Sequence, residues 1–179
     1  MQGVRWILVR HAPAMSRDFS RWPDDRGRPL RPTGVEEFRQ AAKGLSSLLT
    51  KRGGMSSSPL ARTRQTAEML QKSWGTKRVI SYWKELEPDG STLELFNRAK
   101  RSRVAGDLVM VSHEPLLSQF VGLCLFGEST SVLKFSKGGA VALDFPGEVR
   151  PGGGRLLWAL SRRSLGRLRA ATRSKEAEE

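Results

Sequence analysis

The apolar positions of this chain alternate between short continuous runs and stripes at helical spacing, which is typical of an α/β protein. Residues 7–9 and 108–111 are short apolar runs rich in β-branched side chains, as in parallel strands that are covered on both faces. The other predicted strands are residues 55–57, 79–82, 132–135, 140–145 and 155–160. The predicted helices are residues 33 to about 51, about 62 to 74, 92 to about 101 and 115–126, with a last helix after residue 160. We therefore predict a three-layer α/β/α sandwich: a mostly parallel sheet with one antiparallel edge strand and helices on both faces.

Local sequence signals set several of these boundaries. Thr33 followed three residues later by Glu36 is a capping-box pattern, so we expect the first helix to begin there. Gly53 and Gly54 are expected to end that helix, and Ser161 is expected to cap the last one. The charge-dense segment 15–31 has no period, which predicts a surface loop beside a functional site.

Length and composition fit one soluble globular domain. The chain has 179 residues, of which 38% are hydrophobic and 27% charged, and we place the core at about residues 4–160 and a basic helix or tail at 161–179. The longest apolar stretch, residues 116–126, is too short to cross a bilayer. The start of the chain passes directly into the first strand, so no signal peptide is expected. The single cysteine, Cys124, has no intrachain disulfide partner and is interpreted as a core residue, so the cytoplasm is the expected location.

The charge of the chain favours anionic partners. There are 31 Lys and Arg residues against 18 Asp and Glu, a net charge of +13, which attracts phosphates, nucleic acid, acidic protein faces or anionic lipid alike. The basic tail also carries Leu160, Leu165 and Leu168 at spacings that suit a packed face. We therefore favour a docked helix with a solvated basic face over a nucleic-acid arm, and we expect no membrane partner.

The chemistry is indicated by the only two histidines of the chain. His11 and His113 each follow a buried strand and precede a proline-containing turn. Ligands of parallel sheets bind at the carboxyl ends of strands, where both imidazoles are expected to lie. Arg10 precedes His11, and Arg62 falls on the first turn of a predicted helix, where free N–H groups and the helix dipole also favour an anion. This set predicts phosphoryl transfer, with His11 as nucleophile and Arg10, Arg62 and His113 around the phosphoryl oxygens. His113 is most useful there if it is protonated and donates to a phosphoryl oxygen.

Other sites are less well supported by the sequence. Arg64 competes with Arg62 for the anion, but it is expected to face solvent or a carboxylate. Two histidines without a nearby paired carboxylate or cysteine make a poor zinc site, and no metal or other cofactor is expected. The glycine run 152–154 lacks the Lys-Ser/Thr of a nucleotide-binding loop and is interpreted as a flexible turn.

Four motifs resemble, in order along the chain, those of the histidine phosphatase superfamily, also called phosphoglycerate mutase-like. They are residues 8–14 (LVRHAPA), 25–34 (DRGRPLRPTG), 58–67 (SPLARTRQTA) and 111–115 (VSHEP). Within this superfamily, the chain most resembles the SixA-type protein-phosphohistidine phosphatases. The resemblance extends from residue 4 to about 127 and continues more weakly to about 160. Ala12 stands where the superfamily often has glycine, Gly27 lengthens the loop motif by one residue, and residues 161–179 have no counterpart.

The resemblance also implies a place for a proton donor. Larger relatives carry a glutamate after the third strand, and here Glu85 fits that place best, with Glu87 second. The alternative interpretation is a solvated acidic turn. A phosphohistidine substrate lessens the need for an acid, because the leaving imidazole can carry its own proton.

The resemblance and the residues together predict a metal-independent phosphatase with a phosphohistidine intermediate. The expected substrate is phosphohistidine on a protein of the histidine-containing phosphotransfer type. Four arginines of segment 15–31 are expected to form a basic rim that steers an acidic partner: Arg17, Arg21, Arg26 and Arg28. Two of them, Arg21 and Arg28, are also expected to bind substrate. The segment between Arg62 and His113 is too short for the cap of a mutase, so the pocket is expected to be open. The alternatives are a small-molecule phosphomonoesterase and a non-catalytic module that binds phosphate or nucleic acid.

Overall fold

The computed structural model describes residues 4–49, 52–75, 79–102, 104 and 106–168. Strands and helices alternate along most of the chain. The strands are β1 (Val4–Arg10), β2 (Arg52–Ser57), β3 (Ile80–Tyr82), β4 (Asp107–Ser112), β5 (Ala140–Phe145) and β6 (Arg155–Leu160). The helices are α1 (Pro32–Ser47), α2 (Ala61–Trp74), α3 (Thr92–Arg101) and α4 (Leu116–Phe126), with a short 3-10 helix at Lys84–Leu86.

The six strands form one mixed sheet in the order β3-β2-β4-β1-β5-β6. β3, β2, β4 and β1 are parallel, whereas β5 runs antiparallel to both β1 and β6. The mostly parallel α/β fold is thus confirmed, and the one strand that runs opposite to the others, β5, lies next to the edge strand β6. β5 and β6 are joined by a short connection without a helix, which allows only antiparallel pairing, while each parallel step passes through a helical crossover.

Alternate residues of β1 face two separate apolar layers. Trp6 and Leu8 belong to a cluster with side chains of α3 and α4, whereas Ile7 and Val9 belong to a cluster with α1 and α2. Both faces of the central strand are therefore buried, which explains why its sequence is a continuous apolar run. Helices cover both faces of the sheet, as the sequence predicts.

The first helix begins earlier than its capping-box pattern predicts. α1 has Arg31 at its N-cap, where no side-chain cap bond forms, and Pro32 at the first helical position. Because the proline ring fixes a helical φ and needs no N–H partner there, the helix starts before Thr33. The expectation that Thr33 caps the helix is therefore wrong, and the helix ends at Ser47 rather than near residue 51.

Gly53 and Gly54 lie inside β2 and do not terminate α1. A side chain on Gly53 would place its Cβ 2.1 Å from the carbonyl oxygen of Asp107 on β4. The pairing of β2 with β4 shifts register between Arg52 and Gly54. The glycine thus allows close approach of two backbones at an irregular point of the ladder, which the sequence-based interpretation as a helix stop missed.

Residues 132–135 form a loop, so the strand predicted there is wrong. Phe135 is nevertheless buried, and it leads into a turn at Lys137–Gly138 that folds back over the end of β1. The N–H of Gly138 donates to the carbonyl oxygens of Arg10 at 3.1 Å and His11 at 3.0 Å. Gly138 has φ 77°, a conformation that favours glycine. Phe135 is thus buried in the core without strand pairing, whereas Val132 is exposed.

Residues 162–168 form the described part of the C-terminal helix, and Ser161 caps it by accepting the N–H of Ser164 at 3.1 Å. Leu165 is fully buried and Leu168 packs against the same cluster as α1 and α2. The predicted docking of this helix is confirmed, and residues 169–179 of the predicted tail lie outside the described residues. No described helix is long and apolar enough to cross a membrane. Cys124 is buried in α4, as expected.

Candidate active site

The two histidines lie side by side at one edge of the sheet, because the strands that precede them are adjacent and parallel. β1 and β4 pair with Arg10 opposite Ser112, so His11 and His113 each follow the last residue of a neighbouring strand. The N–H of His11 donates to the carbonyl oxygen of Ser112 at 3.0 Å, and the imidazole centroids are 5.2 Å apart. Both side chains are buried. The structure thus brings the histidines together at the carboxyl edge of the sheet.

The geometry around His11 fixes its tautomer. Its Nδ1 lies 2.7 Å from the carbonyl oxygen of Ala12, which can only accept, so Nδ1 carries the proton and Nε2 has a lone pair. The N–H of Ala12 donates in turn to Oγ1 of Thr66 at 3.0 Å, which holds this turn against α2. Burial, and then the charges of Arg62 and Arg10, lower the pKa of His11 to about 3. At neutral pH His11 therefore presents an unprotonated nitrogen.

Arg10 is held by the loop at residues 132–135. One terminal nitrogen of its guanidinium donates to the carbonyl oxygen of Phe135 at 2.7 Å. Its Nε is buried and has no hydrogen-bond partner among the described residues. Burial lowers the pKa of Arg10, and the carboxylate of Glu114 opposes that shift. One edge of the fork is thus anchored while Nε can still donate to an anion.

Arg62 is only 3% exposed and is anchored by one aspartate. Its guanidinium donates to the carbonyl oxygen of Asp25 at 3.0 Å and lies 3.3 Å from the carboxylate of the same residue. Its Nε is buried without a partner among the described residues. Burial lowers the pKa of Arg62 to about 10, so it stays charged at neutral pH.

Two of the N–H groups in the first turn of α2 are bonded within the protein. The N–H of Ala61 donates to the carbonyl oxygen of Arg26, and that of Thr63 donates to the carbonyl oxygen of Leu60. The polar segment 15–31 folds across this helix end, where Arg26 supplies the acceptor for the Ala61 N–H, a contact that helical periodicity alone does not reveal. Arg64 is exposed, as expected.

The environment of His113 favours its neutral form, which differs from the protonated donor that the sequence suggests. Burial, and then the charges of His11 and Arg62, lower its pKa to about 2. Its Nε2 lies 3.0 Å from Oγ of Ser58, which also accepts the N–H of Leu60 at 3.4 Å. We assign the Ser58 hydroxyl as donor to Nε2, which leaves the proton on Nδ1. Nδ1 is buried without a partner among the described residues, so a neutral His113 can still donate to an anion.

The two candidate proton donors differ in what they contact. Glu87 accepts two hydrogen bonds from Arg26, at 2.7 and 3.0 Å, and so ties the 15–31 loop to the 3-10 helix. Glu85 is half-buried and makes no hydrogen bond or ion pair within the described part of the chain. Its helix is fixed at the site's edge of the sheet, because Ser112 Oγ donates to the carbonyl oxygen of Leu86 at 2.7 Å. The structure brings neither carboxylate into contact with His11.

The expected basic rim is partly neutralised. Arg28 forms an ion pair with Asp25 and donates to the carbonyl oxygen of Met15 at 2.6 Å, so its side chain is used inside the loop, although its charge acts on both histidines. Arg26 forms an ion pair with Glu87. Arg17 and Arg21 are exposed, the latter stacked 5.2 Å over the ring of Trp22. Arg17 also lies 4.0 Å from the Asp25 carboxylate, so Arg21 is the rim arginine without an ion pair among the described residues, and both side chains face outward.

Several residues that hold the site were not singled out from the sequence. Asp25 joins Arg62 and Arg28 and has φ 57°, an uncommon backbone conformation for a residue other than glycine. Ser58 contacts His113, and Phe135 supplies the acceptor for Arg10 through its backbone. Asp25 and Ser58 fall inside the motifs that carry the resemblance, which is the one signal that could have found them. A backbone acceptor such as Phe135 leaves no sequence signal.

The site combines one nucleophilic nitrogen with a set of donors for an anion. His11 Nε2 supplies the lone pair, and three buried polar groups without partners among the described residues can donate: Arg10 Nε, Arg62 Nε and His113 Nδ1. Buried donors of this kind are normally satisfied, so their concentration here indicates a place for anionic oxygens. Among the described residues no three His, Cys, Asp or Glu side chains are grouped to hold a metal ion.

The buried neutral histidines predict a loss of stability in mild acid. An unfolded histidine titrates at an ordinary pKa of 6.5, whereas folded His113 and His11 titrate at about 2 and about 3. Below 6.5 the unfolded chain therefore binds more protons, and the free energy of unfolding should fall by about 1.4 kcal/mol per pH unit for each histidine. Urea unfolding from pH 7 to pH 4.5 measures this slope. In the His113→Asn variant, the part of this slope that is due to the two histidines should fall by about half. An unchanged slope would contradict the burial argument.

Comparison with known proteins agrees with this geometry. The sequence profile of the histidine phosphatase superfamily (branch 1) matches residues 6–87. An uncharacterized protein of Picosynechococcus sp. is 31% identical over 139 residues, covering 76% of this chain and 82% of the relative. The chain therefore belongs to the histidine phosphatase superfamily.

Solved structures show the same phosphoglycerate mutase-like fold at low sequence identity. The protein histidine phosphatase SixA complexed with tungstate has a TM-score of 0.76 at 23% identity, covering 90% of this chain and 99% of that one. Phosphoserine phosphatase from Entamoeba histolytica, in complex with 3-phosphoglyceric acid, has a TM-score of 0.64 at 15% identity, covering 90% and 99%. A mycobacterial glucosyl-3-phosphoglycerate phosphatase has a TM-score of 0.65 at 14% identity, covering 89% and 100%. These likenesses show the fold and leave the substrate open.

Proposed function

We propose that this protein is a metal-independent phosphatase in which His11 carries the phosphoryl group. One observation carries the proposal: His11 Nδ1 is bound to the carbonyl oxygen of Ala12, so Nε2 is an unprotonated nitrogen, beside buried donors of Arg10 and Arg62. A neutral imidazole is the form that can attack phosphorus, and fixed cations stabilise the charge on the phosphoryl oxygens as it develops.

The reaction runs in two displacements at phosphorus. In the first, Nε2 of His11 forms a bond to phosphorus while the bond from phosphorus to the leaving nitrogen or oxygen breaks and that atom keeps the electron pair. In the second, water attacks phosphorus, the bond to Nε2 breaks, and inorganic phosphate leaves. Arg10, Arg62 and the Nδ1–H of His113 donate to the phosphoryl oxygens throughout.

We propose phosphohistidine on a protein as the substrate. Glu87 accepts two hydrogen bonds from Arg26, which engages one of the two candidate carboxyls for protonating a poor leaving group, and Glu85 has no polar contact among the described residues that would hold it toward the site. A leaving imidazole needs no such group, since it can depart with its own proton. Exposed Arg17, Arg21 and Lys137 carry positive charge at this edge, which suits an acidic protein face.

A small-molecule phosphomonoesterase is the second candidate. The observation that favours it is the neutralisation of Arg26 and Arg28 by Glu87 and Asp25, which leaves fewer cations to steer a protein. The two candidates differ in their dependence on salt, because a protein face meets the outward cations whereas a small phosphoester meets only the buried ones.

Substrate turnover at varied salt tests this choice. We expect kcat/KM for a phosphorylated histidine-containing phosphotransfer protein to exceed that for small phosphomonoesters. It should also fall steeply with ionic strength, since screening limits the reach of surface charge to about 8–10 Å near physiological salt. Arg21→Glu should lower protein turnover and leave small substrates unchanged. Arg163→Glu, the same charge change on the C-terminal helix, is the matched control. Equal salt slopes for both substrates would favour the small-molecule phosphatase.

Metal independence is a separate prediction. Because the proposed chemistry uses imidazole and guanidinium groups alone, turnover should survive exhaustive chelation, and tungstate or vanadate should inhibit by occupying the Arg10 and Arg62 donors. The measurement is kcat before and after chelation, with each divalent ion then added back singly. Activity that is lost on chelation and restored by one ion would contradict it.

A further inference from the structure

Glu114 lies next to His113 in the chain, yet its carboxylate does not contact the imidazole. One oxygen, Oε1, accepts the N–H of Phe135 at 2.7 Å. The carbonyl oxygen of the same Phe135 accepts the guanidinium of Arg10, also at 2.7 Å. Glu114 therefore binds the N–H of the same residue whose carbonyl oxygen anchors Arg10.

The other carboxylate oxygen of Glu114 is fixed to α4. Oε2 accepts the hydroxyl of Ser118 at 2.7 Å and its N–H at 3.4 Å. Ser118 is buried in the first turn of that helix, so the carboxylate has little freedom. Glu114 thus fastens the irregular loop that contains Phe135 to a regular element of the fold.

The loop at Phe135 has few other attachments that could orient its carbonyl toward Arg10. Residues 132–135 pair with no strand, and the next backbone hydrogen bonds to β1 come from Gly138 and Gly139. The ring of Phe135 is buried in the core, which holds the side chain but leaves rotation of the peptide to be fixed by hydrogen bonds. The charge of Glu114 also acts directly on Arg10, whose pKa it raises against the effect of burial.

We propose that Glu114 is a positioning residue for Arg10, acting through the Phe135 carbonyl to keep the guanidinium aimed at the phosphoryl group. The inference rests on the proposed function, in which Arg10 binds that group. An arginine side chain has several rotatable bonds, so losing its one anchored nitrogen lets Nε leave the position in which it can donate. Phe135 itself cannot be tested this way, since its contribution is a backbone atom.

A double-mutant cycle with Arg10 tests the proposal, with tungstate affinity and kcat/KM as readouts. Glu114→Ala should weaken tungstate binding and lower kcat/KM by about 10- to 100-fold, the size expected for a misplaced binding group. Glu114→Gln keeps an oxygen that can accept the Phe135 N–H, so it should recover most of that loss. In an Arg10→Ala background, Glu114→Ala should add almost nothing, because its effect passes through Arg10.

Asp107→Asn is the control for a merely structural effect. Asp107 is a buried carboxylate at the opposite end of β4, paired with Arg5, so its loss should lower the melting temperature without changing tungstate affinity. If Glu114→Ala does not fold, Ser118→Ala loosens the same carboxylate and should show a smaller loss that again vanishes with Arg10→Ala. Equal losses in both backgrounds, or no loss of tungstate affinity, would overturn the proposal. Because tungstate binding needs no turnover, failure of the proposed function would be seen separately, as intact binding without hydrolysis.

Discussion

His11→Ala is expected to remove both turnover and the covalent phosphoenzyme. Without the imidazole, no lone pair remains to form the bond to phosphorus, and water must attack the substrate directly. We expect kcat to fall by roughly 10⁴-fold or more, the size typical for loss of a nucleophile. Rapid quenching with labelled substrate should trap an acid-labile, alkali-stable phosphoprotein in the wild type and none in the variant. The pKa of about 3 for His11 also predicts that labelling persists well below pH 6.5, where an ordinary histidine would be protonated.

His113→Ala is the matched control for that experiment. It removes the other buried imidazole, and with it one donor to the phosphoryl group, while His11 Nδ1 stays bound to the carbonyl oxygen of Ala12. It should slow labelling without abolishing it. Full labelling of His11→Ala together with no labelling of His113→Ala would transfer the nucleophilic role to His113.

The positions of the two histidines could be predicted because strands carry their own signal. The apolar runs before His11 and His113 predict adjacent buried strands, and parallel strands end at a common edge. The backbone groups that hold His11 and Arg10 are different in kind. Ala12 and Phe135 act through carbonyl oxygens, and every residue has one, so no residue type marks them.

Two of the wrong predictions share a physical origin, since each rests on a local signal that tertiary contact overrides. Residues 132–135 have the apolar character of a strand, but they form a loop. The side chain of Phe135 is buried, and its carbonyl oxygen accepts a hydrogen bond from Arg10. Gly53 has the character of a helix stop, but it permits close packing of β2 on β4. In both cases the residue type is explained by a partner far away in sequence.

The protonation of His113 could not be judged from the sequence, because it depends on burial. An exposed histidine among anions would gain a proton, whereas this one is buried beside His11 and two arginines, which lowers its pKa. The site therefore holds excess positive charge on its guanidinium groups and keeps both imidazoles neutral. That division suits a nucleophile next to a dianionic group, since a protonated His11 could not attack.

Arg62→Ala is expected to lower kcat/KM for every substrate by about a thousandfold, as for loss of a principal cation at a phosphoryl group. Arg62 is almost fully buried, and its Nε has no partner among the described residues, so its contact is with the group common to all substrates. The loss should therefore be the same for phosphoprotein and small phosphoesters, unlike that of Arg21→Glu. Tungstate affinity should fall in parallel, because the ion uses the same donors.

Arg62→Lys separates charge from geometry in that prediction. The lysine keeps a positive charge for Asp25, which otherwise retains Arg28 as an ion-pair partner, but it lacks the planar fork and the Nε donor. The melting temperature of Arg62→Lys should fall less than that of Arg62→Ala. Its kcat/KM should nevertheless stay close to that of Arg62→Ala. Recovery of most of the activity by lysine would mean that Arg62 contributes only a point charge. A loss confined to the phosphoprotein would place Arg62 on the partner surface instead of at the phosphoryl group.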